Sequence, residues 1–142
     1  DRIATAVTTN TEVLAFLAKA EENLASAASE LVNGRYNACA NRCYYACFQA
    51  AIAALMTEGI RPPRGAQGEW GHAFVQAQFA GELANRRTVY PASLRDVLPR
   101  LQATRRRADY EPTPVSQTQA SRCLRMTQDL VISVRDRGAR TR

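Results

Sequence analysis

The stretch from Cys43 to Met56 constrains the fold more than any other part of the sequence. It contains one strongly polar side chain, Gln49, and neither glycine nor proline. A helix that is apolar on nearly every face has to be covered from several directions, whereas a surface helix has a single apolar stripe. The stretch is too short to cross a bilayer, which takes about 20 apolar residues, and Arg42 and Glu58 flank it closely. The sequence therefore predicts the central helix of an all-α bundle.

The length of the chain is that of one domain. A chain of 142 residues buries roughly two thirds of its unfolded surface, so we expect a single domain over residues 1–142 with its core at about 11–137. The first residues show no basic stretch followed by an apolar one, which is the pattern of an export signal. We therefore expect a cytoplasmic protein that does not enter a membrane.

Helical spacing precedes the central helix. Residues 1–10 are polar and rich in Thr, without a period, and we expect a loose tail there. From Thr11, a predicted N-cap, apolar residues recur every three or four positions until Asn33-Gly34, which is typical of a helix end. The central helix then covers residues 35–58. Because the link is so short, we expect the first two helices to form an antiparallel hairpin.

Glycines and prolines divide the next part of the chain. Residues 59–69 are rich in Gly, Pro and Arg and predict a mobile basic loop, which a short helix over residues 70–84 follows. Pro91 suits the first turn of the next helix, but Pro99 lies inside its apolar pattern. Proline is unfavourable in a helix interior. We therefore expect either a kink or a break, with Pro99 in the first turn of a second piece that ends near Arg107.

The last helix has a clear start. Ser116 followed by Gln119 matches a capping box, and the apolar stripe continues to Gly138, after which residues 138–142 are expected to be a frayed basic tail. No strand pattern and no internal repeat occur in the sequence. The predicted class is all-α, an up-and-down four-helix bundle with one additional short helix.

The four cysteines allow two interpretations, core packing and metal binding. Three of them recur every four residues on the central helix, and the full set is Cys39, Cys43, Cys47 and Cys123. Residues at that spacing stack on one helix face, where free cysteines act as small hydrophobes. Zinc sites usually present C-x2-C spacings and add histidines, but the only histidine, His72, lies in another segment. We expect core packing, without a disulfide, a metal or a cofactor.

The positive charge is concentrated in one segment. The formal net charge is +6, and residues 86–107 hold seven arginines against one aspartate, Asp96. Such a concentration indicates a phosphate-bearing or otherwise anionic partner. The alternative is that these arginines are simply solvated, since Arg replaces Lys throughout a chain with 18 Arg and one Lys.

Two motifs carry a resemblance to a known family. The first runs from Gly34-Arg35-Tyr36-Asn37-Ala38 into Asn41-Arg42-Cys43-Tyr44-Tyr45-Ala46-Cys47-Phe48-Gln49-Ala50-Ala51, and the second is Arg105-Arg106-Arg107-Ala108-Asp109-Tyr110. The first resembles the second-helix signature of the HEPN family (higher eukaryote and prokaryote nucleotide-binding). The second resembles the Arg-x-x-Ala-Asp-Tyr signature of one prokaryotic branch. The resemblance covers about residues 14–134.

The resemblance implies both a fold and a class of function. It implies a helical bundle that forms homodimers and is often encoded beside a minimal nucleotidyltransferase in toxin-antitoxin or defence loci. Many branches of the family are metal-independent endoribonucleases with a motif of Arg, four to six residues and then His. In those enzymes two copies of the motif meet across the dimer.

The sequence departs from the ribonuclease motif at its histidine. After Arg105 and four intervening residues the chain has Tyr110, and no histidine follows. A general base works best with a pKa near the operating pH, and His at about 6.5 meets this condition whereas Tyr at about 10 does not. The substitution argues against efficient metal-free RNA cleavage. Tyr110 could still donate a proton to a leaving oxygen or a hydrogen bond to a phosphate.

Two further residues are catalytic candidates. His72 follows Gly71 at the start of the short helix, and members of the resembled branch also tend to carry a histidine there. It could supply the missing imidazole, or it could be an exposed or capping histidine. Asp109 could orient an arginine or Tyr110, or it could form a structural pair with Arg105 at the i, i+4 spacing.

The predicted phosphate-binding set is Arg105, Arg106, Arg107, Arg42 and Tyr45. Guanidinium groups hold phosphate oxygens in bidentate fashion, which favours the arginines for this role. Consecutive helical residues such as Tyr44 and Tyr45 cannot share a face. We expect one of these rings in the core and the other at the cleft or the dimer interface.

Three hypotheses of function follow. The leading one is a dimeric bundle that binds RNA or a nucleotide through the cleft at residues 105–110, as part of a two-gene system. The second is an active ribonuclease that uses Arg105 with His72 or Tyr110. The third is a scaffold that docks an acidic partner protein through residues 86–107.

Overall fold

The computed structural model describes residues 2–63 and 69–141, and within these ranges it contains helices and no β-strand. The helices are α1 (Arg2–Val32), α2 (Tyr36–Thr57), α3 (His72–Gln78), a π-helical stretch (Phe79–Arg86), a 3-10 turn (Ala92–Leu94), α4 (Val97–Tyr110) and α5 (Gln117–Thr141). The predicted all-α class is confirmed. None of the described helices is both long enough and apolar enough to cross a membrane.

Helix α2 is the centre of the bundle, as its composition predicts. Every residue from 50 to 56 is buried, and α1, α4, α5 and α3 all pack against it. Four of these seven buried residues are alanines, whose small side chains let the surrounding helices approach closely. Tyr44, Tyr45 and Phe48 lie in the middle turns of α2, just before this stretch, and they form the wall of the site described below.

Helix α1 ends at the predicted place, just before the short link to α2. The amide of Gly34 donates to the carbonyl of Leu31 (3.1 Å), and the amide of Arg35 donates to that of Glu30 (2.8 Å). These two bonds form a Schellman motif, which needs a left-handed residue after the helix. Gly34 supplies it with a φ of 75°. The two helices pack along each other as the expected hairpin.

The expectation of a loose tail over residues 1–10 is wrong for the part that the structure describes. Helix α1 begins at Arg2, so Thr11 is an interior residue and not an N-cap. The guanidinium of Arg61 donates to Glu12 Oε1 (3.0 Å) and to Thr9 Oγ1 (3.3 Å). These contacts hold the early turns of α1 against the chain that follows α2, which sequence spacing alone did not indicate.

The segment after α2 follows the prediction in part. Residues 59–63 and 69–71 form no helix, while residues 64–68 lie outside the described part of the chain, so the mobility of the loop stays a prediction. The short helix is present as α3 and its π-helical continuation. The π-helical stretch ends where the amide of Arg87 donates to the carbonyl of Glu82 (2.8 Å).

The remaining two helices test the interpretation of Pro99 and of the capping box. The break is confirmed, because α4 begins at Val97 and contains Pro99 in its first turn, where an amide has no partner in the helix. The capping box is also confirmed. The amide of Gln119 donates to Ser116 Oγ (3.1 Å), and that of Ser116 donates to Gln119 Oε1 (2.9 Å).

The C-terminal end of α5 lies further along the chain than predicted. The helix continues through a buried Gly138 to Thr141, so fraying from residue 138 is not observed, and residue 142 lies outside the described part. The hydroxyl of Thr141 donates to the carbonyl of Arg137 (3.2 Å). Arg137 in turn pairs with Glu58 at 3.3 Å, which holds the last turns of α5 against the end of α2.

The cysteines pack in the core as predicted. All four are buried and free. Burial raises the pKa of the Cys47 thiol to about 12, and it also raises the pKa of Cys123. These thiols are therefore protonated at neutral pH and serve as small apolar side chains.

Candidate anion-binding cleft

Three helices bring their side chains together at one end of the bundle. Helix α2 supplies Tyr44 and Tyr45, α3 supplies His72 at its first position, and α4 supplies Arg105 and Asp109 near its last turn. Tyr44 is fully buried, and Tyr45 is half-buried beside it. The expectation that one of the two rings lies in the core is therefore confirmed, while the place of the other at the cleft or the dimer interface stays a prediction. We call the region around Arg105 and His72 the cleft.

The guanidinium of Arg105 is held by two aromatic rings. Its central carbon lies 5.5 Å from the ring centre of Tyr44 and 5.2 Å from that of Tyr45. The two rings stand nearly perpendicular, at 75° with centres 5.5 Å apart, so the cation faces both. Cation-π contacts of this kind are worth about 0.5–2 kcal/mol each, and here they fix the position of a charged group.

Asp109 orients the same arginine. Its Oδ2 lies 3.7 Å from Arg105 Nε, at the i, i+4 spacing, and its Oδ1 accepts a hydrogen bond of 3.0 Å from Asn41 Nδ2 on α2. The carboxylate therefore ties α4 to α2. This arrangement matches the predicted structural pair with Arg105.

Arg105 keeps unused hydrogen-bond donors. Its Nε is buried without a hydrogen bond. Its two terminal nitrogens donate no hydrogen bond to any side chain or backbone group in residues 2–63 and 69–141. They are not buried either, because Nε is the only buried side-chain nitrogen or oxygen without a partner among these residues. A guanidinium presents five N–H donors, so most of the donors of Arg105 are available for an acceptor that enters the cleft.

His72 lies on the other side of Tyr44. Its Nδ1 shares a hydrogen bond with the Tyr44 hydroxyl, and its ring stacks on that of Phe48 with centres 4.5 Å apart. Gln76 Nε2 donates to the Tyr44 hydroxyl oxygen (3.2 Å) and to Gln102 Oε1 (2.7 Å). The Tyr44 oxygen has two lone pairs, so it can accept from Gln76 and also from His72. In the tautomer that carries its proton on Nδ1, His72 donates to Tyr44 and its Nε2 is the nitrogen that can accept a proton.

The charges in the cleft favour a neutral imidazole. Partial burial lowers the pKa of His72, and the positive charge of Arg105 lowers it further. Burial raises the pKa of Tyr44, although Gln76 and Arg105 act against this rise. At neutral pH the cleft therefore holds a neutral histidine and a protonated tyrosine beside a fixed positive charge.

The single histidine of the chain makes this geometry measurable. We expect an NMR titration of the His72 ring protons to give a pKa below 6.5. In the Arg105→Gln variant the same pKa should rise, because the nearby cation is removed. Arg135→Gln, which removes an exposed charge elsewhere, should leave it unchanged. If the pKa of His72 does not change in Arg105→Gln, the proximity of Arg105 and His72 in the cleft is contradicted.

Not all predicted site residues lie in the cleft. Arg105, Asp109, His72 and Tyr45 are brought together there. Tyr110 is 80% exposed and makes no side-chain contact with Arg105 or His72. A residue five positions along a helix lies about 140° around the axis, so the residue that takes the place of the motif histidine points away from Arg105.

The other predicted arginines lie outside the cleft. Arg106 is exposed to solvent, and Arg107 faces α5. The guanidinium of Arg42 lies 5.7 Å from the ring centre of Tyr45 and donates to Asn23 Oδ1 (3.1 Å). Arg42 therefore lines the outer edge of the cleft.

The site contains residues that were not predicted from the sequence to belong to it. These residues are Asn41, Phe48, Gln76 and Gln102, together with Tyr44, whose ring and hydroxyl connect the other groups. Helical spacing was the available signal for several of them, because Tyr44 and Phe48, and likewise His72 and Gln76, are four residues apart. Nothing in the sequence indicated that Gln102 would meet Gln76.

Comparison with family models agrees with the fold and with the family resemblance. The model of the HEPN domain matches residues 13–136, which is most of the chain and includes all the cleft residues. No curated protein matches the sequence. On the strength of the family model, this chain belongs to the HEPN family.

Proposed function

We propose that this protein binds RNA or a nucleotide through a phosphate group in the cleft. One observation supports this most: Arg105 lies against the rings of Tyr44 and Tyr45, and its terminal nitrogens are neither buried nor hydrogen-bonded within the described residues. A guanidinium binds phosphate oxygens through paired N–H donors, and such charge-assisted bonds are about twice as strong as neutral ones. Holding the side chain in place beforehand lowers the entropy cost of binding.

The surroundings of the cleft support an anionic ligand. Arg42 lies at its edge and Arg106 is exposed beside it, while Asp109 is the one carboxylate in contact with Arg105 among the described residues. Arg42 and Arg105 both lie over the half-buried ring of Tyr45, at 5.7 Å and 5.2 Å from its centre. A phosphate beside Tyr45 therefore meets one guanidinium from α2 and one from α4.

The assembly and the genetic context belong to the same proposal. We expect a homodimer in which two clefts lie close to each other, and a cytoplasmic role as one half of a two-gene toxin-antitoxin or defence system with a minimal nucleotidyltransferase as the partner. Membership of the HEPN family supports these expectations.

Direct binding tests the proposal. A fluorescently labelled single-stranded RNA of ten nucleotides should bind the protein at low salt, with an affinity that falls as salt rises. The expected slope of log affinity against log salt is about −0.7 for each phosphate that the protein neutralises. If the RNA and a 5′-phosphorylated dinucleotide both fail to bind at low salt, the proposal is wrong.

A second candidate function is metal-independent RNA cleavage, which the position of His72 favours. A neutral imidazole next to a fixed guanidinium is suited to remove the proton of a ribose 2′-hydroxyl while the cation stabilises the charge on the phosphate. The 2′-oxygen then attacks the phosphorus, the bond to the 5′-oxygen breaks, the 5′-oxygen takes a proton from water, and a 2′,3′-cyclic phosphate forms. This candidate assigns the role of general base to His72 and none to Tyr110.

Matched variants test the cleavage. In the presence of a chelator, wild-type protein should cleave RNA, and His72→Ala should slow cleavage by about 10²–10⁴-fold, the usual contribution of a general acid or base. Tyr110→Phe should have no effect, since Tyr110 lies outside the cleft. Equal rates in wild type and His72→Ala would exclude His72 from the reaction.

A further inference from the structure

A second basic feature lies on the opposite side of α4 from the cleft. Arg100 and Arg107 on α4 and Arg122 on α5 line a groove of about 310 Å³ between the two helices, with Thr104 and Gln119 on its walls and the buried Cys123 at its base. We call this the α4–α5 groove. Because arginines stand on both of its walls, it is a positively charged channel and not merely a charged helix face.

The three arginines of the α4–α5 groove have no internal counter-charge. All three are exposed, and none forms an ion pair or a side-chain hydrogen bond with another residue in the described part of the chain. The carboxylate of Glu111 lines an adjoining depression beyond Arg107 but does not pair with it. Three guanidinium groups that converge without a carboxylate repel one another, and an external anion relieves this repulsion.

The position of the groove relative to the cleft indicates an extended ligand. Successive residues of a helix are about 100° apart, so residues 105, 106 and 107 form a belt of guanidinium groups around α4. The belt leads from the cleft at Arg105, past the exposed Arg106, to the groove at Arg107. With a helix diameter of about 10–12 Å, this path is about 17–21 Å long, which a single nucleotide does not cover but a strand does.

The lining of the groove favours the backbone of a nucleic acid. The residues that line it include no aromatic side chain, so bases have nothing to stack on, whereas phosphates meet arginines and the polar groups of Thr104 and Gln119. Contacts of this kind hold the backbone without reading the sequence. An acidic peptide could also neutralise the charges of the groove. Binding of such a peptide would not explain why the guanidinium groups of residues 105–107 connect the groove to the cleft.

We infer that the α4–α5 groove binds backbone phosphates of the same single-stranded RNA whose other end occupies the cleft. This inference rests on the proposed function of the cleft and extends it. It makes the bound RNA longer than the cleft itself requires, and it makes the groove contacts independent of the base sequence.

Two probes and one triple variant test the inference. The probes are a 5′-phosphorylated dinucleotide, which reaches only the cleft, and a ten-nucleotide RNA, which lies within the range of about 4–16 nucleotides that single-strand-binding sites cover. The variant combines Arg100→Gln, Arg107→Gln and Arg122→Gln, since glutamine removes the charge and keeps good helix propensity. We expect its affinity for the longer RNA to fall more than about tenfold and its salt slope to weaken by about 2. Binding of the dinucleotide should not change.

A matched triple variant controls for net charge. Arg35→Gln, Arg86→Gln and Arg135→Gln remove the same charge from side chains that are 63%, 73% and 51% exposed and pair with carboxylates. This control should retain the salt slope and most of the affinity. Equal affinities of the groove variant and wild type for the longer RNA would overturn the inference.

Two other outcomes would also overturn it. The first is a ten-nucleotide RNA that binds no more tightly than the dinucleotide, which would leave the cleft proposal intact. The second is a groove variant that retains RNA binding but loses a co-purifying protein, which would assign the groove to a protein partner. If neither probe binds the wild-type protein, the proposed function of the cleft is itself wrong. This result differs from the outcomes above, which overturn only the inference about the groove.

Discussion

Replacing Arg105 with glutamine is expected to lower the affinity for single-stranded RNA at least tenfold at low salt. The side chain is the only guanidinium held between two aromatic rings within the described residues, and glutamine offers neither its charge nor its paired donors. Arg105→Lys should also bind weakly, because an ammonium group cannot make the bidentate contact. Fluorescence anisotropy with the ten-nucleotide RNA measures the change.

The control for this prediction is Arg135→Gln. Arg135 is half-exposed on α5 and pairs with Asp136 at 3.7 Å, so its loss changes the net charge equally and should change the affinity little. Thermal melting of both variants checks that they remain folded. Arg105→Gln protein that is folded and binds RNA as tightly as the control would exclude the cleft as the phosphate site.

Replacing Tyr44 with alanine is expected to have the largest effect on stability. Tyr44 is completely buried, and its ring contacts Arg105, His72 and Phe48. Truncating a buried aromatic side chain typically lowers the free energy of unfolding by about 3–5 kcal/mol. Urea denaturation, followed by circular dichroism, measures this difference.

The matched variant is Tyr44→Phe. It keeps the ring and removes only the hydroxyl, and Gln76 retains its other hydrogen bond to Gln102. The free energy of unfolding should fall by about 1–3 kcal/mol, because the hydroxyl makes two hydrogen bonds, to His72 and to Gln76, each worth about 0.5–1.5 kcal/mol net. Equal losses in Tyr44→Phe and Tyr44→Ala would show that the hydroxyl network, and not ring packing, holds this end of the bundle.

Much of the fold could be predicted because its signals are local. An apolar stretch without glycine or proline predicted α2, and a capping box predicted the start of α5. Pro99 marked the break before α4, since its ring is compatible only with the first turn of a helix. The start of α1 was missed because contacts with Arg61, about fifty residues away in sequence, support its early turns.

The candidate site was less predictable because its parts come from three helices. The pair of Arg105 and Asp109 follows from the i, i+4 rule and was expected. The approach of His72 to Tyr44 depends on how the chain between α2 and α3 returns to the bundle, and no local pattern encodes that path. The prediction for Tyr110 followed the linear motif, whereas the turn of α4 places that residue on another face.

One measurement tests the central claim that Arg105 and His72 form a single phosphate-binding cleft. The NMR signals of His72 are followed while the ten-nucleotide RNA is added to wild type and to Arg105→Gln. In wild type we expect the signals to shift and the His72 pKa to rise, because a bound phosphate favours the charged imidazole; in Arg105→Gln neither change should occur at the same RNA concentration. RNA that saturates the wild-type protein without any change at His72 would contradict the account.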